Sequence, residues 1–223
     1  MRKTLINSIA IFISILGSFG VERYIQSVND LKSKELLILN IQDEIKQNYY
    51  SLLETRASLK SVVDVTDSII NNWSSINSKL VKEFYFENQY ALRDDMKTIL
   101  SFRPYYSPKN LYFNSMIYSG LILKIKNKKL RENLESVYGT IESGQSAGGN
   151  NNQKIKSWFD ELIEKEEVLD QEFIFNKYKN FKLFKLLNER RRSQVGFLYI
   201  LEINIKSFEI LIKEMENPVK FFK

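Results

Sequence analysis

The chain of 223 residues contains neither cysteine nor histidine. That double absence removes disulfide frameworks, zinc fingers, thiol nucleophiles, Ser-His-Asp triads and imidazole-ligated metals or haem. Proline and glycine are scarce, at three and eight residues, which argues against the many tight turns of a β-sandwich or barrel. No phosphate cradle is present: Gly144 and Gly148-Gly149 have neither the Lys-Ser/Thr of a P-loop nor a G-x-G-x-x-G order. What is there is apolar surface, 43% hydrophobic and 13% aromatic residues, too much for a disordered chain. The length fits one domain, or one domain with an appendage.

Residues Thr4 to Val21 read TLINSIAIFISILGSFGV and carry no charge. About 18 residues make roughly 27 Å of helix, just short of a ~30 Å hydrocarbon core. Arg2 and Lys3 on one side and Arg23 on the other can snorkel to cover the deficit. Residues 1–21 therefore read as a membrane anchor, with Leu5, Ile6, Ile9 and Phe12 among its apolar side chains and the lipid bilayer as its partner. A cleaved secretory signal competes with this reading, because Ser18-Phe19-Gly20 imitates a small-x-small cleavage site; a helix of a bundle is the third option. No polar, turn-forming stretch precedes Ser18, which favours the anchor. Arg2 and Lys3 favour a cytoplasmic N-terminus, with the bulk of the chain outside the cytoplasmic membrane.

Past residue 21 the apolar residues recur at steps of three or four: Tyr24, Ile25, Val28, Leu31, then Leu37, Ile38, Ile41, Ile45, Tyr49, Leu52 and Leu53. The spacing predicts an amphipathic helix to about Asn71, able to self-associate as a coiled coil over residues 24–53. Asn71-Asn72-Trp73-Ser74-Ser75 is the first turn-rich patch. A second helix is expected from Asn77 to Phe102, with Leu80, Phe84, Tyr90, Leu92, Met96 and Leu100 inward. Phe102 to Pro108 forms a loop, since each proline biases its predecessor away from helix. Residues 109–125 read as a buried core helix. Asn127 reads as the N-cap of another, carrying Leu130, Leu134, Val137 and Tyr138. The small polar run at 143–152 reads as a flexible Gly/Asn-rich linker between bundle parts 22–142 and 153–223. Two helices follow, about 153–191 and 193–216, the last with Phe197, Ile200, Leu201, Ile203, Phe208, Leu211 and Ile212 on its apolar face. The expected class is all-α: an N-terminal transmembrane helix, then a four- to five-helix bundle with a long first helix.

Residues 111–140, LYFNSMIYSGLILKIKNKKLRENLESVYGT, place Ser119-Gly120, Leu123, Ile125, Asn127, Leu130-Arg131, Leu134 and Tyr138 in one order. With Glu44-x-x-x-Asn48 upstream, this resembles an uncharacterised bacterial family of single-span membrane proteins, a domain of unknown function. The resemblance covers the anchor and two segments. It departs at Val21-Glu22-Arg23-Tyr24, where the family has a polar, Trp-containing stretch, and at the 143–152 insertion. It implies an anchor and an extracytoplasmic helical domain and brings no activity. The residues themselves also have a structural reading: Gly120 for a turn or close approach, Asn127 for a cap, the leucines and Tyr138 for packing, and Arg131 for a carboxylate partner.

Candidate chemistry is thin. Glu161, Glu164, Glu166, Glu167 and Asp170 cluster at helical spacing, and Asp94 and Asp95 are adjacent. Paired carboxylates suit acid–base work or a hard cation, but Lys165 turns the first group into an ordinary ion-paired helix face. Lys177, Lys179, Lys182, Lys185 and Arg190 to Arg192 interleave with Tyr178, Phe181, Phe184 and Leu187. That pattern suits single-stranded nucleic acid or an anionic lipid surface. An exported domain meets no nucleic acid, and Phe181, Phe184 and Leu187 make a core stripe whose lysines cover the wet face. The net charge of +6 is mild. No catalytic, cofactor-binding or metal-ligating residue stands out, and no cofactor is expected. The leading expectation is a non-enzymatic membrane-anchored interaction or sensory module of the cell envelope, with another envelope protein or a second copy as partner. The alternatives are an exported structural stalk with a cleaved signal, and a hydrolase or transferase with an unrecognised carboxylate, Ser or Tyr site.

Overall fold

With no proline or glycine between residues 21 and 103, nothing local stops the first helix, and α1 runs Arg2–Asn71. A computed structural model describes the backbone of residues 2–88, 95–139 and 141–215, and the side chains of these except 2–15, 31 and 141–149. The described residues contain no strand. After α1 come α2 (Ser78–Asn88), α3 (Met96–Ser101), α4 (Leu111–Tyr118), a 3-10 turn (Leu121–Lys124), α5 (Lys128–Gly139), α6 (Ile141–Glu166), α7 (Gln171–Tyr178) and α8 (Phe181–Met215).

The spine is α1 against α8. Buried positions on α1 fall at Ile38, Ile41, Ile45, Asn48, Leu52, Thr55, Leu59, Val62, Thr66 and Ile69, alternating steps of three and four. On α8 the same alternation runs Leu183, Leu187, Arg190, Gln194, Phe197, Leu201, Asn204, Phe208, Leu211 and Met215. A period of 3.5 keeps one stripe of each helix facing the other, the pattern of a coiled coil. The cross-links give the direction. Gln42 donates to the Met215 carbonyl, Tyr49 Oη donates to Glu209 at 3.0 Å, Arg56 meets Glu202 at 3.0 Å, and Arg191 reaches Asp67. Rising numbers on α1 meet falling numbers on α8, so the pair is antiparallel.

Two apolar cores sit along this spine. The first gathers Ile38 to Leu59 of α1, the C-terminal half of α8 and the segment from Tyr106 to Val137. The second gathers Val65 and Ile69 of α1, the start of α8, and α2, α3, α6 and α7 around Trp158 and Phe159. Each fully buried aliphatic side chain contributes about 2 kcal/mol, so either core outweighs any surface ion pair.

The all-α expectation holds, and α1 ends at Asn71 as read. Other boundaries move. The helix expected over Asn77 to Phe102 is two, α2 and α3, with Asp95 as N-cap of α3, its carboxylate accepting from Thr98 N at 2.7 Å. Tyr90 and Leu92 lie outside the described residues. In α2 the core residues are Val81 and Tyr85, with Leu80 and Phe84 half-buried beside them. The 109–125 helix is broken after Tyr118 because Gly120 adopts φ 66, a left-handed conformation that a Cβ would strain. Residues 143–152 run inside α6 instead of forming a linker. Tertiary partners override their weak propensity: Asn151 donates to Ser193 Oγ at 2.9 Å, and Asn152 accepts from Arg190 at 3.0 Å. The break expected near residue 192 lies earlier. Glu167 takes φ 53, Asp170 caps α7, and Asn180 accepts from Leu183 N at 3.1 Å to start α8. Ile203 is exposed rather than part of the core face.

The membrane anchor is corrected. Among the described residues no helix is long and apolar enough to cross a membrane. From Glu22 onward no uncharged run in α1 exceeds seven residues. The single-pass description and the anchored placement in the cytoplasmic membrane are therefore not supported by the described residues. The side chains of Leu5, Ile6, Ile9 and Phe12 lie outside the described residues.

Candidate functional site

Two surfaces and two buried charges are the places where this fold does more than pack. The first buried charge is Glu44, 4% exposed. Its carboxylate accepts from Tyr112 N at 2.9 Å, Phe113 N at 3.2 Å and Tyr138 Oη at 2.8 Å. Asn110, the N-cap residue of α4, makes no capping bond with its side chain, so a carboxylate from α1 supplies the cap instead. One turn on, Asn48 holds both backbone groups of Lys109, donating to its carbonyl and accepting from its N–H at 2.8 Å each. Tyr138 stacks on Phe113 with centroids 4.1 Å apart. Burial, and then the Glu44 charge, raise the Tyr138 pKa above that of an ordinary phenol, so the hydroxyl stays a donor.

The residues that carry the family resemblance thus meet in space. Glu44, Asn48 and Tyr138 form one clasp around the start of α4. Gly120 makes the turn, Asn127 accepts from Leu130 N at 3.1 Å, and Leu130 and Leu134 are core. Each of these has a structural task, whereas Leu123, also in the resembling segment, is exposed. No family model matches the chain, and no curated protein or solved structure matches it either. The resemblance of residues 111–140 rests on those residues alone.

The second buried charge is Arg190, 2% exposed, on the α8 seam level with Thr66. It donates from Nε to Asn152 at 3.0 Å, from Nη1 to Thr66 Oγ1 at 2.9 Å, and from Nη2 to the Phe102 carbonyl at 2.5 Å. The Gln194 amide, oriented with its oxygen toward the guanidinium, accepts at 3.1 and 3.3 Å. All these acceptors are neutral. Burial lowers the Arg190 pKa to about 9, which still leaves it protonated at neutral pH, and four neutral acceptors take up its donors.

The other candidates disperse. Glu161 pairs with Lys182 at 3.4 Å, Glu166 with Lys177 at 2.6 Å, and Asp170 caps α7. Lys165 lies over the Tyr178 ring at 5.7 Å instead of pairing along its own helix. No group of three acidic side chains that could hold a metal occurs among the described residues, and Asp94 lies outside them. The basic run is likewise spread around α7 and α8: Lys179 binds the Ile76 carbonyl, Arg191 meets Asp67, and Arg190 is buried. Phe181 is exposed, so the core stripe is Leu183, Leu187 and Arg190 rather than Phe181, Phe184 and Leu187. Composition showed the charges of this run; only the fold shows that they point in different directions.

The remaining surface is α1 itself. Burial begins at Ile38, and residues 16–36 form an arm, ~30 Å long at 1.5 Å per residue. At 100° per residue Val21, Ile25, Val28, Leu36 and Leu39 fall within roughly 80° of arc, on the side opposite the Ile38-Ile41-Ile45 seam. Ile25 is 51% exposed and Leu36 60%. Lys32 lies in the same stripe. The seam could be read from the sequence, but the outer stripe hid in it, because both faces of one helix contribute to the same apolar pattern.

Proposed function

We propose that the protein is a non-enzymatic interaction module whose contact surface is the outer face of α1, and that a second copy of the chain docks there. The observation that carries this is the apolar stripe Val21, Ile25, Leu36 and Leu39, exposed with a half-buried Val28 between them, along a helix whose other face is used by the core from Ile38 on. The order of the stripe supports a second copy. Turned end for end about residue 30, Val21 comes level with Leu39, Ile25 within one residue of Leu36, and Val28 with Lys32. A two-fold antiparallel contact of this kind is self-complementary and closes on itself. Lys32 interrupts the stripe and restrains open-ended stacking of further chains.

Sedimentation equilibrium of the full chain at micromolar concentration tests the reading. A dimer is expected, and Ile25→Glu combined with Leu36→Glu weakens association by at least about a hundredfold while helicity is retained. A native chain that stays monomeric across the range overturns it.

A further inference from the structure

Between Asp95 and Glu132 the chain has no acidic residue. Within that stretch the turn from Tyr118 to Lys129 leaves two kinds of side chain outside. Tyr118 is 87% exposed, the most of any described large hydrophobic, and Leu123 is 73% exposed. They flank Gly120, whose outer side is open: a Cβ there would meet nothing within 4 Å. Ile122 and Ile125 point the other way, into the first core, and hold the turn in place. Lys124, Lys126, Lys128 and Lys129 follow, all exposed. Of these Lys128 alone has an ion pair among the described residues, with Glu132 at 3.4 Å. Elsewhere exposed apolar side chains adjoin acids: Phe86 precedes Glu87, Leu169 precedes Asp170, Phe173 follows Glu172 and Ile210 follows Glu209. Elsewhere, too, cations meet carboxylates: Lys82 with Glu172, Lys97 with Asp160, Lys177 with Glu166, Arg191 with Asp67. The turn at Gly120 breaks both habits at once.

We propose that this turn is a lipid-contact surface, seating Tyr118 and Leu123 at the headgroup level of an anionic bilayer with the lysines on the surrounding phosphates. The contact is peripheral, needs no spanning helix and is independent of the α1 stripe. Three features favour a lipid surface over a polypeptide or a nucleic acid. The apolar tips stand out from a turn rather than line a groove, and a fluid surface closes around such tips on every side. Tyrosine carries a polar hydroxyl on an apolar ring, which suits the boundary between headgroups and acyl chains. The exposed cations are lysines, flexible point charges on apolar stems that follow mobile headgroups. The planar fork that grips a fixed phosphate is set back, since Arg131 is half-buried.

Co-sedimentation of the full chain with vesicles of phosphatidylcholine, alone or with added phosphatidylglycerol, tests this. Binding to the anionic vesicles is expected to be tighter by at least about tenfold and to weaken as salt rises. Lys126→Ser combined with Lys129→Ser lowers that affinity by about twentyfold. Tyr118→Ser combined with Leu123→Ser lowers it by at least about tenfold. Lys60→Ser combined with Lys206→Ser takes the same charge from other faces and leaves it within about twofold. All of these side chains are exposed, so the variants keep the fold, which circular dichroism checks. Equal binding to both vesicles, native affinity in either turn variant, or as large a loss in the Lys60 and Lys206 variant would overturn the proposal. So would tighter binding of polyuridylate or polyglutamate than of the anionic vesicles.

Discussion

At one end of the spine Glu44 is a buried anion held by two backbone N–H groups and a phenol; toward the other, Arg190 is a buried cation held by neutral oxygens. Neither has an ion-pair partner among the described residues. The donors around Glu44 come from a helix start, whose first N–H groups lack partners in any helix and carry partial positive charge. The anion there satisfies a need that the backbone creates. The acceptors around Arg190 come from α1, α6, α8 and the loop after α3, and none of them needed a cation before the fold brought them together. The first arrangement ties a loop to a helix. The second ties four elements to one another.

Removing each charge separates the two cases. Arg190→Met leaves the Phe102 carbonyl, Asn152 and Thr66 without a donor at the junction of the two cores, and a loss of about 4 kcal/mol is expected in urea unfolding. Glu44→Ala orphans two N–H groups and the Tyr138 hydroxyl but leaves the second core intact; the expected loss is about 3 kcal/mol. If the two ends are as distinct as their cores suggest, the double variant loses the sum to within about 0.5 kcal/mol. A third variant has the opposite sign. Asn204 is buried on the α8 seam, level with residues 52–55 of α1, and its amide nitrogen has no hydrogen-bond partner among the described residues. Asn204→Leu is expected to stabilise the chain by about 1 kcal/mol, seen as a higher urea midpoint with an unchanged slope. The Asn204 amide nitrogen is thus the opposite case to Glu44 and Arg190, a buried donor with no acceptor among the described residues.

What the sequence made legible was local. The end of α1 at Asn71, the loop between Phe102 and Pro108, the Asn127 cap and the inward Leu130 and Leu134 all follow from neighbours within one helical turn. Gly120 was visible as a turn residue, and its positive φ agrees. The misreadings share a cause in distant partners. Asn151 and Asn152 looked like linker because nothing nearby orders them; Ser193 and Arg190 on α8 do so. Arg190 looked like one more surface base because its four acceptors are scattered over the chain. Asp170 and Asn180, ordinary N-cap residues, would have placed the starts of α7 and α8 had they been weighed above the continuing apolar pattern.

The central claim is that α1 serves two partners, the core on one face and a second copy on the other. Hydrogen exchange of the full chain at two protein concentrations a hundredfold apart tests it most directly. The account predicts that amides of residues 16–36 gain protection at the higher concentration, while those of 41–69 and 187–211 are equally protected at both. Protection of residues 16–36 that does not change with concentration would contradict it.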